Sequence, residues 1–216
     1  MPALPLQRIG TQLRQRVDAV VIGASAGGVE ALSTLLPALP ATLSVAIIIV
    51  LHLPRDRRSL LVDIFSHKCA CPLREADDKA PVESGTVYFA PPDYHLLVDR
   101  GSDRAPLFSL SVDELVNYSR PAIDVLFDSA ADFYGERLLG IVLTGANDDG
   151  AAGLATICRQ GGVAMVQQPD SAQNAYMPQS ALKRTPAALA LTLEQIAAVL
   201  ADLTNDQAMD QPHATR

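Results

Sequence analysis

The 216-residue sequence contains no tryptophan, only three cysteines and few aromatic residues, which make up 5% of the chain. Three cysteines, Cys69, Cys71 and Cys158, are too few and odd in number for a disulfide framework. The longest apolar run, at 45–53, is much shorter than the roughly 20 residues of a membrane span. Residues 1–16 lack the unbroken apolar core of a signal peptide. We therefore expect a cytoplasmic protein without membrane insertion.

Basic residues are also scarce, with 17 Lys+Arg against 24 Asp+Glu and a formal net charge of -7. Such a chain lacks the broad positive surface that non-specific nucleic-acid binding needs, so no nucleic-acid partner is expected. Hydrophobic residues make up 49% of the chain, which excludes a disordered protein. The length predicts one domain, which we assign to residues 17–204, between tails at residues 1–16 and 205–216.

Strand and helix patterns alternate along this domain. Continuous apolar runs predict buried strands at 17–22, 45–51, 137–143 and 163–167. Amphipathic spacing predicts helices at 26–36, 59–65, 123–134, 150–160 and 193–203. Residues 85–99 resemble two strands joined by a turn, and residues 107–112 add a third. The predicted fold class is therefore α/β: a doubly wound, mainly parallel sheet with helices on both faces and a small antiparallel hairpin insertion.

Chemically active residues follow three of the predicted strands. Ser25 follows the first strand, His52 follows the second, and Asp148 and Asp149 follow the strand at 137–143. Ligands of open parallel sheets bind at the carboxyl ends of the strands, so these residues fall at the functional edge. A serine nucleophile needs an imidazole to take its proton and a carboxylate to orient that imidazole. The arrangement predicts a serine hydrolase.

The loop around Ser25 has other interpretations. Its Gly-x-Ser-x-Gly spacing fits the strand-to-helix turn that presents a nucleophile, and the same turn could hold a phosphate in a nucleotide-binding domain. However, Ser25 occupies the middle position of a dinucleotide-binding G-x-G-x-x-G, and His52 stands where a ribose-binding acid is expected. A catalytically silent scaffold of the same fold is the third alternative. Labelling of Ser25 by a fluorophosphonate would distinguish a hydrolase from both.

Five sequence blocks, in order, resemble the catalytic domain of CheB-type chemotaxis methylesterases, which demethylate glutamyl esters and deamidate glutamines on chemoreceptors. The blocks are IGASAGGVEAL at 22–32, IIIVLHLP at 47–54, TVYFAPPDYHLLV at 86–98, SRPAIDVLFDSAA at 119–131 and GIVLTGANDDGAAGL at 140–154. The resemblance implies that the partners are the cytoplasmic helices of methyl-accepting receptors. It also implies a reaction that needs no cofactor and no metal.

The resemblance assigns roles to individual residues. Ser25 is the nucleophile and His52 is the base. The family block LTGMGxDG aligns with residues 143–150, so the aspartate of the triad is Asp149 rather than Asp148. Further positions carry oxyanion or substrate roles: the backbone N–H groups of Ala26 and Ala146, and the side chain of Arg120, for which a structural salt bridge is the alternative.

Two features concern control and binding. Family members commonly carry a phosphorylation-controlled receiver domain, whereas only residues 1–16 precede the first predicted strand. Either the protein lacks that domain naturally or this sequence covers only the catalytic domain, and we expect activity that phosphodonors do not change. The basic stretch Arg55–Arg58 is a candidate contact for an acidic receptor helix. His67, Cys69 and Cys71 are close in sequence, but their spacing fits no common zinc site, and no metal is expected.

Overall fold

The computed structural model describes residues 6–53 and 59–204. The strands are β1 (Ala19–Ala24), β2 (Ala46–Leu51), β3 (Leu73–Glu75), β4 (Val87–Phe89), β5 (His95–Arg100), β6 (Pro106–Ser111), β7 (Leu138–Val142), β8 (Val163–Gln167) and β9 (Leu189–Leu191). The helices are α1 (Leu6–Arg14), α2 (Gly28–Leu35), α3 (Leu61–Phe65), α4 (Ile123–Tyr134), α5 (Ala151–Arg159), α6 (Tyr176–Arg184) and α7 (Leu193–Ala201). None of these helices is long and apolar enough to cross a membrane.

Within these residues, seven strands form one parallel sheet in the order β3-β4-β2-β1-β7-β8-β9. From β1 the chain adds β2, β3 and β4 on one side and β7, β8 and β9 on the other, so the strand order reverses at β1. Both edge strands are three residues long. Arg74 and Glu75 are exposed on β3, whereas β9 exposes the apolar side chain of Leu189. The predicted doubly wound, mainly parallel sheet is confirmed.

The sheet is covered on both faces because its central strands are apolar on both faces. Every residue of β1 and β2 is buried, and the side chains alternate between two hydrophobic clusters. Ile22 and Ile49 belong to the cluster with α1, α2, α3 and α7. Val21 and Val50 belong to the cluster with α4, α5, α6 and the β5–β6 pair. The prediction of helices on both faces is confirmed.

The antiparallel insertion exists, but its strands differ from those expected. Residues 85–99 do not form a hairpin, because β4 pairs in parallel with β2 and β3 in the main sheet, and β5 pairs with β6 instead. All three residues of β4 are buried, which is typical of a main-sheet strand. Pro91 and Pro92 follow, and they lack the N–H groups that would continue the ladder.

The interpretation of residues 1–16 as a tail is wrong for Leu6–Arg14, which form α1. Leu13 is 5% exposed and Ile9 packs against the same core cluster, so one face of α1 lies on the domain beside α7. These two apolar residues are one helical turn apart in a polar segment, which explains why composition alone indicates a tail. Residues 205–216 lie outside the described part of the chain.

Candidate active site

Ser25 lies directly after β1 in the turn that leads into α2. Gly27 has a φ of 81°, in the left-handed region that glycine adopts without strain, and this lets the chain reverse sharply. The Ser25 N–H donates to the carbonyl of Thr144 at 3.0 Å, and the Ser25 carbonyl accepts from Gly28 at 2.8 Å. Ser25 is therefore fixed between the amino terminus of α2 and the loop that follows β7.

His52 and Asp149 meet at the same edge of the sheet. The His52 N–H donates to the carbonyl of Ala24, the residue before Ser25, at 3.1 Å. Nε2 of the imidazole lies 2.9 Å from Oδ2 of Asp149, and the two side chains are 12% and 0% exposed. Because a carboxylate only accepts, Nε2 carries the proton of this hydrogen bond, and Nδ1 is left as the nitrogen that can take another.

The carboxylate of Asp149 accepts from five donors. They are His52 Nε2, the N–H groups of Ile123, Asp124 and Gly150, and the side-chain amide of Asn117. Burial by itself raises the pKa of Asp149, but the hydrogen bonds from His52 and from the first amides of α4 outweigh it and hold the pKa below the ordinary value. Asp149 is therefore ionised at neutral pH and able to stabilise a protonated imidazole.

Asn117 and Asp124 support this carboxylate, and neither is assigned a role by the sequence. The amide nitrogen of Asn117 lies 3.1 Å from both Asp124 Oδ2 and Asp149 Oδ1, so its two hydrogens bridge the acids. Burial, together with the charge of Asp149, raises the pKa of Asp124 to about 6. The sequence feature that could have pointed to Asp124 is its position in the first turn of a helix with an apolar face. An aspartate at that position indicates a polar contact at the end of the helix.

The raised pKa of Asp124 makes stability depend on pH. Between its ordinary value of 3.8 and about 6, the carboxyl of the unfolded chain is ionised while that of the folded protein keeps its proton. This contribution to stability is therefore fully present below the ordinary value and is lost as the pH rises through 6. Asp124→Asn removes this titrating carboxyl. The loss of unfolding free energy that the substitution causes should therefore be about 2–3 kcal/mol smaller at pH 8 than at pH 4.

Urea denaturation of both proteins at the two pH values measures this difference. Asp132→Asn is the matched control, because Asp132 is an exposed aspartate on the same helix and its charge does not contribute to the raised pKa of Asp124. The control should change stability equally at both pH values. A destabilisation by Asp124→Asn that is the same at pH 4 and pH 8 would contradict the buried, titrating carboxyl.

Asn147 contacts both members of the His52–Asp149 pair. Its amide nitrogen lies 3.4 Å from Nδ1 of His52, and its amide oxygen accepts from the backbone N–H of Asp149 at 3.3 Å. The family block LTGMGxDG has glycine at this position, so the Asn147 side chain departs from the family pattern. The difference is visible in the sequence, but the resemblance assigns Asn147 no role. The Asn147 amide donates to Nδ1 and therefore limits the rotation of the imidazole, and it must release Nδ1 before that nitrogen takes a proton from Ser25.

The two candidate oxyanion donors lie on neighbouring loops. Ala26 and Ala146 are both exposed, and within the described residues their N–H groups donate no backbone hydrogen bond. Thr144 links the loops, since its hydroxyl donates to the carbonyl of Ala26 at 2.8 Å and accepts from the N–H of Asn174 at 2.9 Å. Two backbone donors beside a serine can stabilise the negative oxygen of a tetrahedral intermediate.

The resemblance suggests a substrate role for Arg120, but its side chain is engaged in contacts within the protein. Its guanidinium forms an ion pair with Asp93 at 2.8 Å and donates to the carbonyls of Val112 and Asp113 at 2.7 and 3.0 Å. These contacts agree with the salt-bridge alternative and with a role in holding the loop after β6. The basic stretch Arg55–Arg58 lies outside the described residues.

The three cysteines are thiols in the structure. The Cys71 thiol donates to the carbonyl of Pro40 at 3.0 Å, and hydrogen bonding from Cys71 lowers the pKa of Cys69 to about 7. Over residues 6–53 and 59–204, no group of three or more His, Cys, Asp or Glu side chains could hold a metal ion.

Comparison with known proteins identifies the family. The CheB methylesterase family model matches residues 20–200. The chain belongs to the CheB methylesterase family. A CheB methylesterase catalytic domain from Thermotoga maritima, known from its crystal structure, superposes with a TM-score of 0.83 at 29% identity over 87% of this chain and 99% of that one. This membership argues against the nucleotide-binding alternative.

Several members of the CheB family carry the name protein-glutamate methylesterase/protein-glutamine glutaminase. One from Leptospira interrogans is 45% identical over 180 residues, which are 83% of this chain and 91% of that protein. One from Trichodesmium erythraeum is 36% identical over 80% of this chain, and one from Caulobacter vibrioides is 36% identical over 86% of it. The chain spans about half the length of these last two relatives, at 49% and 53%.

Proposed function

We propose that this protein is a serine hydrolase that demethylates glutamate methyl esters and deamidates glutamines on the cytoplasmic helices of chemoreceptors. The observation that carries the proposal is the hydrogen bond between the buried Asp149 and His52, whose backbone N–H donates to Ala24, the residue before Ser25, where the order of the parallel strands reverses. Relatives that carry the names of both activities support the substrate class. The reaction would take place in the cytoplasm, where these receptor helices lie.

The first half of the reaction forms an acyl-enzyme. Nδ1 of His52 takes the hydroxyl proton of Ser25 as Oγ attacks the γ-carbonyl carbon of the esterified glutamate. The carbonyl oxygen becomes negative and accepts from the N–H groups of Ala26 and Ala146. Asp149 stabilises the protonated imidazole through Nε2. The imidazole then gives its proton to the departing methoxy oxygen, the C–O bond breaks, and methanol leaves.

The second half restores the enzyme. Water attacks the acyl carbon while Nδ1 of His52 takes one of its protons. The bond to Ser25 Oγ breaks, Oγ recovers a proton from His52, and glutamate is released. With glutamine as the substrate the same steps release ammonia in place of methanol. No step requires a group beyond these side chains, the backbone donors and water.

The test of this function is methanol release from a methylated receptor fragment, with ammonia release from its glutamine form as the second assay. We expect both products from the wild-type protein, and covalent labelling of Ser25 by a fluorophosphonate because the same base activates Oγ toward phosphorus. Labelling without release of either product would mean a hydrolase for another substrate. The absence of both labelling and release would support the catalytically silent scaffold.

A further inference from the structure

Residues 116–119 form a tight two-residue turn beside the candidate active site. The N–H and carbonyl groups of Val116 and Ser119 exchange hydrogen bonds of 3.2 and 2.9 Å, and Asn117 and Tyr118 occupy the turn between them. Both central residues have positive φ, 50° for Asn117 and 61° for Tyr118. Two positive φ values in a two-residue connection define a type I′ turn.

Tyrosine is an unfavourable residue for the second position of this turn. Glycine is the preferred residue there, because a side chain with a Cβ is strained in the left-handed region. Packing does not compensate for the strain, since Tyr118 is 97% exposed. A strained backbone that holds a large aromatic ring in solvent indicates a function for that ring.

The turn is rigidly attached to the candidate active site. The side chain of Asn117 donates to Asp149, the carboxylate that holds His52. The segment before the turn is fixed by His95, whose Nε2 lies 2.9 Å from the carbonyl of Glu114, and by the guanidinium of Arg120. Tyr118 is therefore held one residue away from a direct contact with the Asp149–His52 pair.

We propose that Tyr118 is a substrate-contact residue that packs on an apolar side chain of the receptor helix next to the esterified glutamate. The inference rests on the proposed function. Leu115 and Val112, 40% and 67% exposed, extend the apolar surface on the same segment. Three exposed apolar side chains along one segment suit a helix laid across the site.

The cavity that Tyr118 lines with Glu114, Leu115, Asn117 and Arg120 is wide open to solvent, whereas sites for small molecules enclose most of the ligand. Tyrosine on a rigid support is a common anchor of protein interfaces, because little conformational entropy is lost when it binds.

The test compares two substrates, a methylated receptor fragment and p-nitrophenyl acetate. Tyr118→Gly should lower the ratio of kcat/KM for the receptor to kcat/KM for the small ester about tenfold. Tyr118→Phe, which keeps the ring, should retain the ratio. Leu189→Ala is the control for an exposed apolar side chain at the far edge of the sheet, and it should leave the ratio unchanged. Because glycine suits φ 61°, the Tm of Tyr118→Gly should equal or exceed that of the wild type.

A binding measurement separates this inference from the proposed function. Ser25→Ala should bind the methylated fragment about ten times more tightly than Ser25→Ala/Tyr118→Gly does. Equal affinity, or an unchanged kcat/KM ratio in Tyr118→Gly, would overturn the contact. A wild-type protein that releases no methanol would instead overturn the proposed function, and the binding comparison would still decide the role of Tyr118.

Discussion

Replacement of Ser25 by alanine should reduce methanol release from the receptor ester about 10⁴-fold or more, to near background. The substitution removes the only atom that we propose to form the acyl-enzyme. It keeps the backbone hydrogen bonds to Thr144 and Gly28 that hold the turn, so the fold should be intact. Initial rates at saturating substrate give the loss, and thermal unfolding followed by circular dichroism checks the fold.

Ser180→Ala is a matched control for this experiment. Ser180 is a partly exposed serine that lines a cleft with Asp148 and Tyr176, and we assign it no chemical role. The control should retain the wild-type rate. Since no step uses a metal ion, EDTA should leave the wild-type rate unchanged as well. Near-wild-type turnover by Ser25→Ala, or loss of wild-type activity on chelation, would contradict the mechanism.

Asp149→Asn should lower turnover by about 10³- to 10⁴-fold through the imidazole. Oδ1 of Asp149 accepts from three donors and Oδ2 from two, one of which is His52. The asparagine oxygen is best placed on the side with three donors, which turns its NH₂ group toward Nε2 of His52. Nε2 must then accept, the ring proton moves to Nδ1, and Nδ1 can no longer take the proton of Ser25.

The neighbouring acid provides the control for the aspartate. Asp148 is exposed, and its backbone carbonyl accepts from Ala151 at the start of α5, a contact that Asp148→Asn keeps. We expect this variant to turn over the receptor ester close to the wild-type rate. Steady-state kinetics of the two variants should therefore rank Asp149→Asn far below Asp148→Asn. The reverse ranking would mean that the loop after β7 is misaligned with the family block.

The strands that position the site could be predicted because each is a continuous apolar run. The predictions 45–51 and 163–167 lie within one residue of β2 and β8, and β1 is displaced by two residues from the predicted 17–22. Strand ends bring Ser25, His52 and Asp149 to one edge whatever the detailed packing. The pairing of β5 with β6 could not be predicted, because it depends on where the chain leaves the main sheet after β4.

The contacts around Asp149 were also beyond the sequence. Asn117 and Asp124 reach the carboxylate only because α4 begins against the loop that follows β7, and Asn147 reaches the imidazole because that loop lies beside the end of β2. That register depends on packing between segments far apart in the chain, and no local pattern encodes it. Helix α1 was missed for a different reason, because its polar composition hides the one face that packs on α7.

The contrast between the two edge strands has a consequence for aggregation. An unpaired sheet edge can template the backbone of another molecule, and natural proteins oppose this with short edges and charged side chains. At β3 both safeguards are present, through Arg74 and Glu75. At β9 only the shortness remains, because Leu189, Ala190 and Leu191 carry no charge. We therefore expect intermolecular strand pairing in concentrated or warmed solutions to begin at the β9 edge.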